Sequence, residues 1–344
     1  MKVNTGKLLR SLLRAGARTA KLITTVTAAA TTPPKPKRKR AAAKPRVVAT
    51  VRGGVTTHAP GKWLSSHVLT AAGQQMRYWL YLPNSLSPPE GLIVMLHGCQ
   101  QTATQFAQGT RMNLRAEKHG YAVLYPQQLT SHHAQRCWKW YDPATQAGGG
   151  DAPTIISMIH KVTTQYAVNR RRIYVAGISA GAGMANILAL NHPRLFAAVG
   201  LHSGPVFGAG RNALTGIGIM HHGAGPRADV AAHEILLRQP DFPGMPAILL
   251  QGESDTVVRP VNQAQLARQS LLLNRLTGPA KITSKPRSTM HDFYAGRKLM
   301  LRVARIEQLE HAWSGGDATQ PFTAKAAPDA SKMMLEFFAR HQRP

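Results

Sequence analysis

Two hydrophobic textures follow one another along this chain, and the change between them marks where a folded domain begins. From about Lys62 onward, short apolar runs are separated by stretches with helical periodicity. Met76 to Leu82 reads as an early antiparallel strand and Gly91 to Leu96 as a continuous buried one. Thr104 to His119 reads as a helix that turns Phe106, Met112 and Leu114 inward. Further strands are expected at Tyr121 to Tyr125, Arg172 to Ala176, Phe196 to Gly200, Ala247 to Gln251 and Leu301 to Ile306. Helices are expected after Ala152, where Ile155, Ile159 and Val162 share a face, over residues 180–190, and from Ser331 to Arg340. Apolar strands alternating with helices predict an α/β domain, a mostly parallel central sheet covered by helices on both faces. The Gly-rich segment 203–226 reads as a flexible loop at the mouth of the site.

The first sixty residues follow another pattern. Leu8, Leu9, Leu12 and Leu13 share one helical face, and Lys7, Arg10, Arg14, Arg18 and Lys21 the opposite one, which predicts a basic amphipathic helix. Disorder is expected from Thr31 to Gly54, through Pro33-Pro34-Lys35-Pro36 and Lys37-Arg38-Lys39-Arg40. The formal charge of the whole chain is +28. Fourteen Lys and Arg fall within the first 52 residues, and the first carboxylate is Glu90. The expected division is therefore a basic extension over 1–60 and a folded α/β domain over 61–344. An anionic membrane or storage-granule surface is the expected partner of residues 7–40; a secretory signal and a solvated charge run remain open. Leu22 to Ala30 is short for a signal core and carries Thr24, Thr25 and Thr27. Nucleic acid is not an expected partner, because no aromatic or base-reading context accompanies the charge.

The chemistry centres on Gly177-Ile178-Ser179-Ala180-Gly181, set between an expected strand and an expected helix. A serine at the apex of such a turn is held in a strained backbone, and side chains at the flanking glycines would strike the neighbouring strand and helix. Serine becomes a useful nucleophile only when a base takes its proton, and in this architecture the order is serine, acid, histidine. Asp255, at the carboxyl end of the Ala247 to Gln251 strand, is the favoured acid, with Glu253 second; no strand feeds Asp229 or Asp241. His311, in the loop after Leu301 to Ile306, is the favoured base, with His202, His221, His222 and His291 in reserve. The backbone N–H groups of Ala180 and of Cys99, in His97-Gly98-Cys99-Gln100-Gln101, are the expected oxyanion donors. His97, Gln100, Trp138, Trp140 and Trp313 are the expected pocket-lining side chains, with Tyr141 beside them, and Asp151 is expected to cap the helix that follows it. The pairs His132-His133 and His221-His222 lack a third ligand, so neither a metal nor a cofactor is expected.

With these residues in place, the chain resembles the poly(3-hydroxybutyrate) depolymerase family of esterases, which includes related feruloyl and acetylxylan esterases. The likeness covers about residues 75–340. It rests on Leu96-His97-Gly98-Cys99-Gln100-Gln101, Gly109-Thr110 with Asn113, Tyr125-Pro126-Gln127-Gln128, Cys137-Trp138-Lys139-Trp140, the segment around Ser179, Gly252 to Val258, and His311-Ala312-Trp313-Ser314-Gly315-Gly316. Ala180 stands where relatives often carry Asn or Gln. The resemblance implies an α/β-hydrolase fold, a Ser179–Asp255–His311 triad, oxyanion amides from Cys99 and Ala180, and a Cys99–Cys137 bridge. Such a bridge is worth roughly 4 kcal/mol in the chain-entropy model. It also implies hydrolysis, through an acyl-enzyme, of poly(3-hydroxybutyrate) or short hydroxyacyl esters and oligoesters, with feruloyl or acetyl esters of plant polysaccharide as the alternative. The expected location is extracellular, with cytoplasmic or granule-associated residence as the alternative. A rival of another class is a catalytically silent protein that coats granules, membranes or nucleic acid through its basic arm.

Overall fold

The computed structural model describes residues 59–344 apart from Leu86, Ala326 and Ala327. The expected amphipathic helix, the disordered stretch and any surface-binding role of residues 7–40 lie outside the described residues.

Ten strands form one sheet. In chain order they are β1 Lys62–Leu69, β2 Gln75–Leu82, β3 Gly91–Leu96, β4 Tyr121–Pro126, β5 Ile173–Ile178, β6 Ala198–His202, β7 Ala247–Gly252, β8 Lys281–Lys285, β9 Ser288–Ala295 and β10 Lys298–Ile306. Their order across the sheet is β1-β2-β4-β3-β5-β6-β7-β10-β9-β8. The six strands from β4 to β10 in that order run parallel, and the antiparallel pairs β1-β2 and β9-β8 extend the two ends. Strands β3, β4, β5 and β7 are buried along their whole length, which is why each reads as an unbroken apolar run. The edge strand β8 is exposed throughout and carries Lys281 and Lys285, charges that discourage pairing with another sheet edge.

The helices are α1 Ala103–Thr110, α2 Met112–Glu117, α3 Pro143–Gln146, α4 Ala152–Gln165, α5 Ala180–Asn191, α6 Ala213–His222, α7 Arg227–Arg238, α8 Val261–Leu273 and α9 Ala330–Phe338. They cover both faces of the sheet and separate its core into two apolar clusters. One gathers α4 and α5 with β3 and β5, and the other gathers α1, α2 and α9 with β4 and β10. Phe338 of α9 stacks on Tyr174 of β5 at 4.7 Å and 3°, and burying a ring of that size contributes about 1.5–3 kcal/mol. No described helix is long and apolar enough to cross a membrane.

Two expectations need correction. The helix expected over Thr104 to His119 breaks at Arg111, whose φ of +54° ends α1 and opens α2. The loop expected over 203–226 contains helix α6. Asn212 and Thr215 form a reciprocal capping box at its start, and Gly216 lets it lie against Tyr141, where a Cβ would sit 3.2 Å from the ring-bearing carbon.

Candidate active site

Strand β5 delivers Ser179 to the first turn of α5, at the carboxyl end of the parallel strands where such sheets assemble their sites. Its φ of +56° and ψ of −124° are strained for a side-chain-bearing residue. The backbone holds there because Ser179 N–H donates to His202 carbonyl at 3.0 Å and because glycines permit the close approach. A Cβ on Gly181 would stand 2.1 Å from Leu96 carbonyl oxygen, and one on Gly177 2.5 Å from Gly181 backbone.

Asp255 and His311 meet beside it. His311 Nδ1–H donates to Asp255 Oδ2 at 2.8 Å. The carboxylate is otherwise fully engaged, since Oδ1 accepts from Val257 and Val258 N–H at 2.9 Å each and Oδ2 also accepts from Gln251 Nε2 at 2.9 Å. Burial pushes the Asp255 carboxyl up, but the His311 ring and the two amides more than offset this and hold it below the usual carboxylate range. With Nδ1 committed as donor, Nε2 of His311 is left to accept a proton. His311 and Ser179 line the same cleft, with no direct hydrogen bond between them among the described residues. Glu253 is exposed and belongs to no ion pair among the described residues, so the strand end presents Asp255 in its place.

Loop 97–101 follows β3 and packs against the junction of β5 and α5, where a Cβ on Gly181 would also stand 2.5 Å from His97 carbonyl oxygen. Cys99 is joined to Cys137 by a disulfide, which ties this loop to the 135–138 segment. Gln100 N–H reinforces the tie by donating to Gln135 carbonyl at 2.7 Å. The amides of Cys99 and Ala180 have no acceptor among the described residues. Gln101, missed as a site residue in the sequence, is buried and spans the gap between loops, its Oε1 accepting from Gly98 N–H at 2.8 Å and its Nε2 donating to Pro321 carbonyl at 2.8 Å.

The expected pocket residues sort unevenly. Trp140 lines the cleft. His97, Gln100, Trp138 and Trp313 do not. His97 is fully buried, with Nδ1–H donating to Gly98 carbonyl and Nε2 accepting from Gln128 N–H at 3.1 Å, so it braces the loop from behind. Desolvation lowers its pKa to about 4, so the ring is neutral. Gln100 has φ +66° and points to solvent. Trp138 and Trp313 are core residues whose indole N–H groups donate to His97 carbonyl and Ser331 Oγ. The walls are instead Tyr141, Ile217, Met220, Val257 and Phe322, with Trp140, around a cleft of about 850 Å³ counted to its open mouth. The Asn212-to-Thr215 spacing was the sequence signal for helix α6, which supplies Ile217 and Met220. Asp151 precedes α4 without a side-chain capping bond; its carboxylate accepts from His132 Nδ1 at 2.8 Å and from Gln128 Nε2 at 2.5 Å.

Of the reserve histidines, His202 alone stands directly against the site. Its ring is wholly buried, stacks on Trp313, accepts Ser314 N–H at Nε2 and donates from Nδ1 to Ser203 Oγ at 3.2 Å. Burial and the neighbouring His311 lower its pKa to about 3. One residue thus fastens both the Ser179 backbone, through its carbonyl, and the loop that carries His311, through its ring. His202→Asn retains the first tie and removes the second. It is expected to lower kcat about tenfold with KM little changed, because a small displacement of His311, the expected base, is costly. Steady-state kinetics on a soluble ester checks this, and an unaltered kcat would show that the ring does not position the loop.

Residues 76–288 match the family described as Esterase PHB depolymerase. The chain belongs to that family. Among curated relatives, a probable acetylxylan esterase A of Aspergillus fumigatus is 32% identical over 162 residues, covering 44% of this chain and 43% of the relative. Feruloyl esterase B of Neurospora crassa is 33% identical over 160 residues, covering 45% and 54%. The chain thus spans about half the length of the curated relatives it matches. An acetyl xylan esterase from Aspergillus awamori superposes with a TM-score of 0.67 at 18% identity, covering 81% of this chain and 100% of the other. That likeness shows the fold, an α/β-hydrolase with its mostly parallel sheet, as the resemblance read from the seven sequence blocks implies.

Proposed function

We propose that this protein is a serine carboxylic-ester hydrolase working through an acyl-enzyme. The observation that carries the reading is a strained serine and an aspartate-held histidine lining one apolar cleft, beside two amides with no acceptor among the described residues. Ser179 Oγ attacks the ester carbonyl while His311 Nε2 takes its proton; Asp255 keeps the ring in the tautomer that can do so and stabilises the imidazolium. The amides of Cys99 and Ala180 receive the developing oxyanion, and each such donor is worth about 10²- to 10³-fold in rate. His311 then passes the proton to the leaving alkoxide. Water, activated by the same imidazole, releases the acid.

For the substrate we propose esters with a short apolar acyl part, 3-hydroxyacyl esters and oligoesters first. The cleft walls, Trp140, Tyr141, Ile217, Met220 and Phe322, are apolar and suit such an acyl part. The same aromatic walls favour a second reading, feruloyl or related aryl esters. Location outside the reducing cytoplasm is part of the proposal, supported by the Cys99–Cys137 bond.

Labelling tests the reading. A fluorophosphonate should modify the protein once, with the adduct mapped by mass spectrometry to Ser179, and p-nitrophenyl butyrate should protect against it. An adduct elsewhere, or none, would refute the assignment.

A further inference from the structure

Beside the catalytic cleft lies a second groove, about 1070 Å³ counted to its open mouth, that has no part in the chemistry above. Two chain segments wall both. Tyr141 lines the cleft and Pro143 the groove; Ala213 lines the cleft and Arg211 the groove. Two residues span at most ~7 Å of chain, so on both sides the groove begins a short step from the cleft wall. Between them stands a ridge in which Gly210 packs on Tyr141, so closely that a Cβ there would sit 2.5 Å from the Tyr141 carbonyl oxygen.

The two hollows differ in chemistry. The cleft is walled almost entirely by apolar groups, whereas the groove carries Arg211, Arg227 and Arg238 against one carboxylate, Glu234, a net +2. Arg227 occupies both Glu234 oxygens, at 2.6 and 2.8 Å. Asp142 near the rim is also engaged, its Oδ2 accepting from Thr145 N–H and Oγ1 at 2.9 Å each. Arg211 and Arg238 have no carboxylate partner among the described residues; Arg238 Nε reaches only the Glu234 backbone carbonyl, at 3.4 Å. Two exposed guanidinium groups therefore border a hollow next to the cleft with no carboxylate paired to them, although Arg238 shares the field of Glu234, and guanidinium is the side chain best matched to a carboxylate.

We propose that this groove binds a carboxylate borne by the substrate on the part that extends beyond the catalytic cleft. The inference rests on the ester-hydrolase reading and narrows it to anionic substrates. Such a carboxylate has two sources, the free acid end of a hydroxyacyl oligoester or a uronate on a polysaccharide chain.

The test uses Ser179→Ala protein, so that nothing is consumed, and measures binding by calorimetry in two series. One compares the 3-hydroxybutyrate trimer as free acid with its methyl ester. The other compares an acetylated xylo-oligosaccharide bearing glucuronate with its carboxyl-reduced form. The acid should bind about three- to tenfold more tightly than its neutral partner, and the preference should fade in high salt. It should also vanish when Arg211→Ala and Arg238→Ala are combined. Preference in the first series identifies an oligoester end, in the second a uronate, and in both a general carboxylate site. In the active protein the double variant should raise KM for the acid alone, leaving turnover of p-nitrophenyl butyrate unchanged. Equal binding of acid and neutral forms in both series, or a preference that survives loss of both arginines, overturns the proposal. Failure of the unmutated protein to hydrolyse p-nitrophenyl butyrate would instead sink the ester-hydrolase reading, while the calorimetry still decides the groove.

Discussion

Ser179→Ala should lower kcat on a soluble ester such as p-nitrophenyl butyrate by about 10⁴- to 10⁶-fold, leaving only what the amides and the cleft supply by binding. The size of the effect follows from the division of labour. On the proposed mechanism, loss of the hydroxyl removes the acyl-enzyme route, and the residual rate is that of water attacking a bound ester. The fold should not suffer. Ser179 Oγ makes no hydrogen bond among the described residues, and alanine retains the Cβ that the φ of +56° already has to accommodate. The variant should therefore melt at the same temperature as the parent and still bind substrate. Turnover within about tenfold of the parent would refute a nucleophilic Ser179, since no neighbouring group could replace it. Loss of turnover with a collapsed melting curve would point to packing instead.

How much of this could be read from the sequence depended on how local each signal was. The parallel strands were legible because burial on both faces makes them continuous apolar runs, as in β3, β4, β5 and β7. The position of Ser179 was legible because the glycines around it answer a steric demand at fixed spacing. Strands β8 and β9 were not, since β8 is an exposed edge with little apolar content. Helix α6 reads as a loop in the sequence because its glycines suggest flexibility, while the use of Gly216, close packing on Tyr141, depends on a residue some seventy positions away. The pocket fared worst for the same reason. Trp138 and Trp313 are the large aromatic side chains a sequence offers to a pocket, yet each has an indole N–H that finds a buried acceptor, at His97 carbonyl and Ser331 Oγ. Nothing in the local pattern distinguishes a tryptophan that lines a cleft, such as Trp140, from one that fills the core behind it. The disulfide was implied by family likeness alone, and the second tie beside it, Gln100 N–H to Gln135 carbonyl, joins two loops that no local pattern relates.

Three buried imidazoles make the fold sensitive to acid. Desolvation lowers His97 to about 4, His202 to about 3 and His341 to about 4, the last reinforced by Lys298 and Arg340. In the unfolded chain each returns to its ordinary value near 6.5, so between these values unfolding takes up protons that the native state excludes. The sign is therefore fixed. Stability from these groups is fully present above about pH 6.5 and is lost as the pH falls toward the folded-state values. Asp255, held below the usual range, works in the same direction at still lower pH, where protonation removes its bond with His311. From about pH 7 to about pH 5 each buried histidine should cost roughly 2 kcal/mol, so the three together remove about 6 kcal/mol, a large part of what a domain this size has to spare. Urea unfolding at the two values should show the midpoint moving sharply down at the lower pH with the slope unchanged, and His97→Gln combined with His202→Gln should flatten that dependence. A midpoint that holds steady between them would mean that these rings are protonated inside the native protein. In that case His202 could not accept the Ser314 amide, and the loop carrying His311 would have to be held by something else.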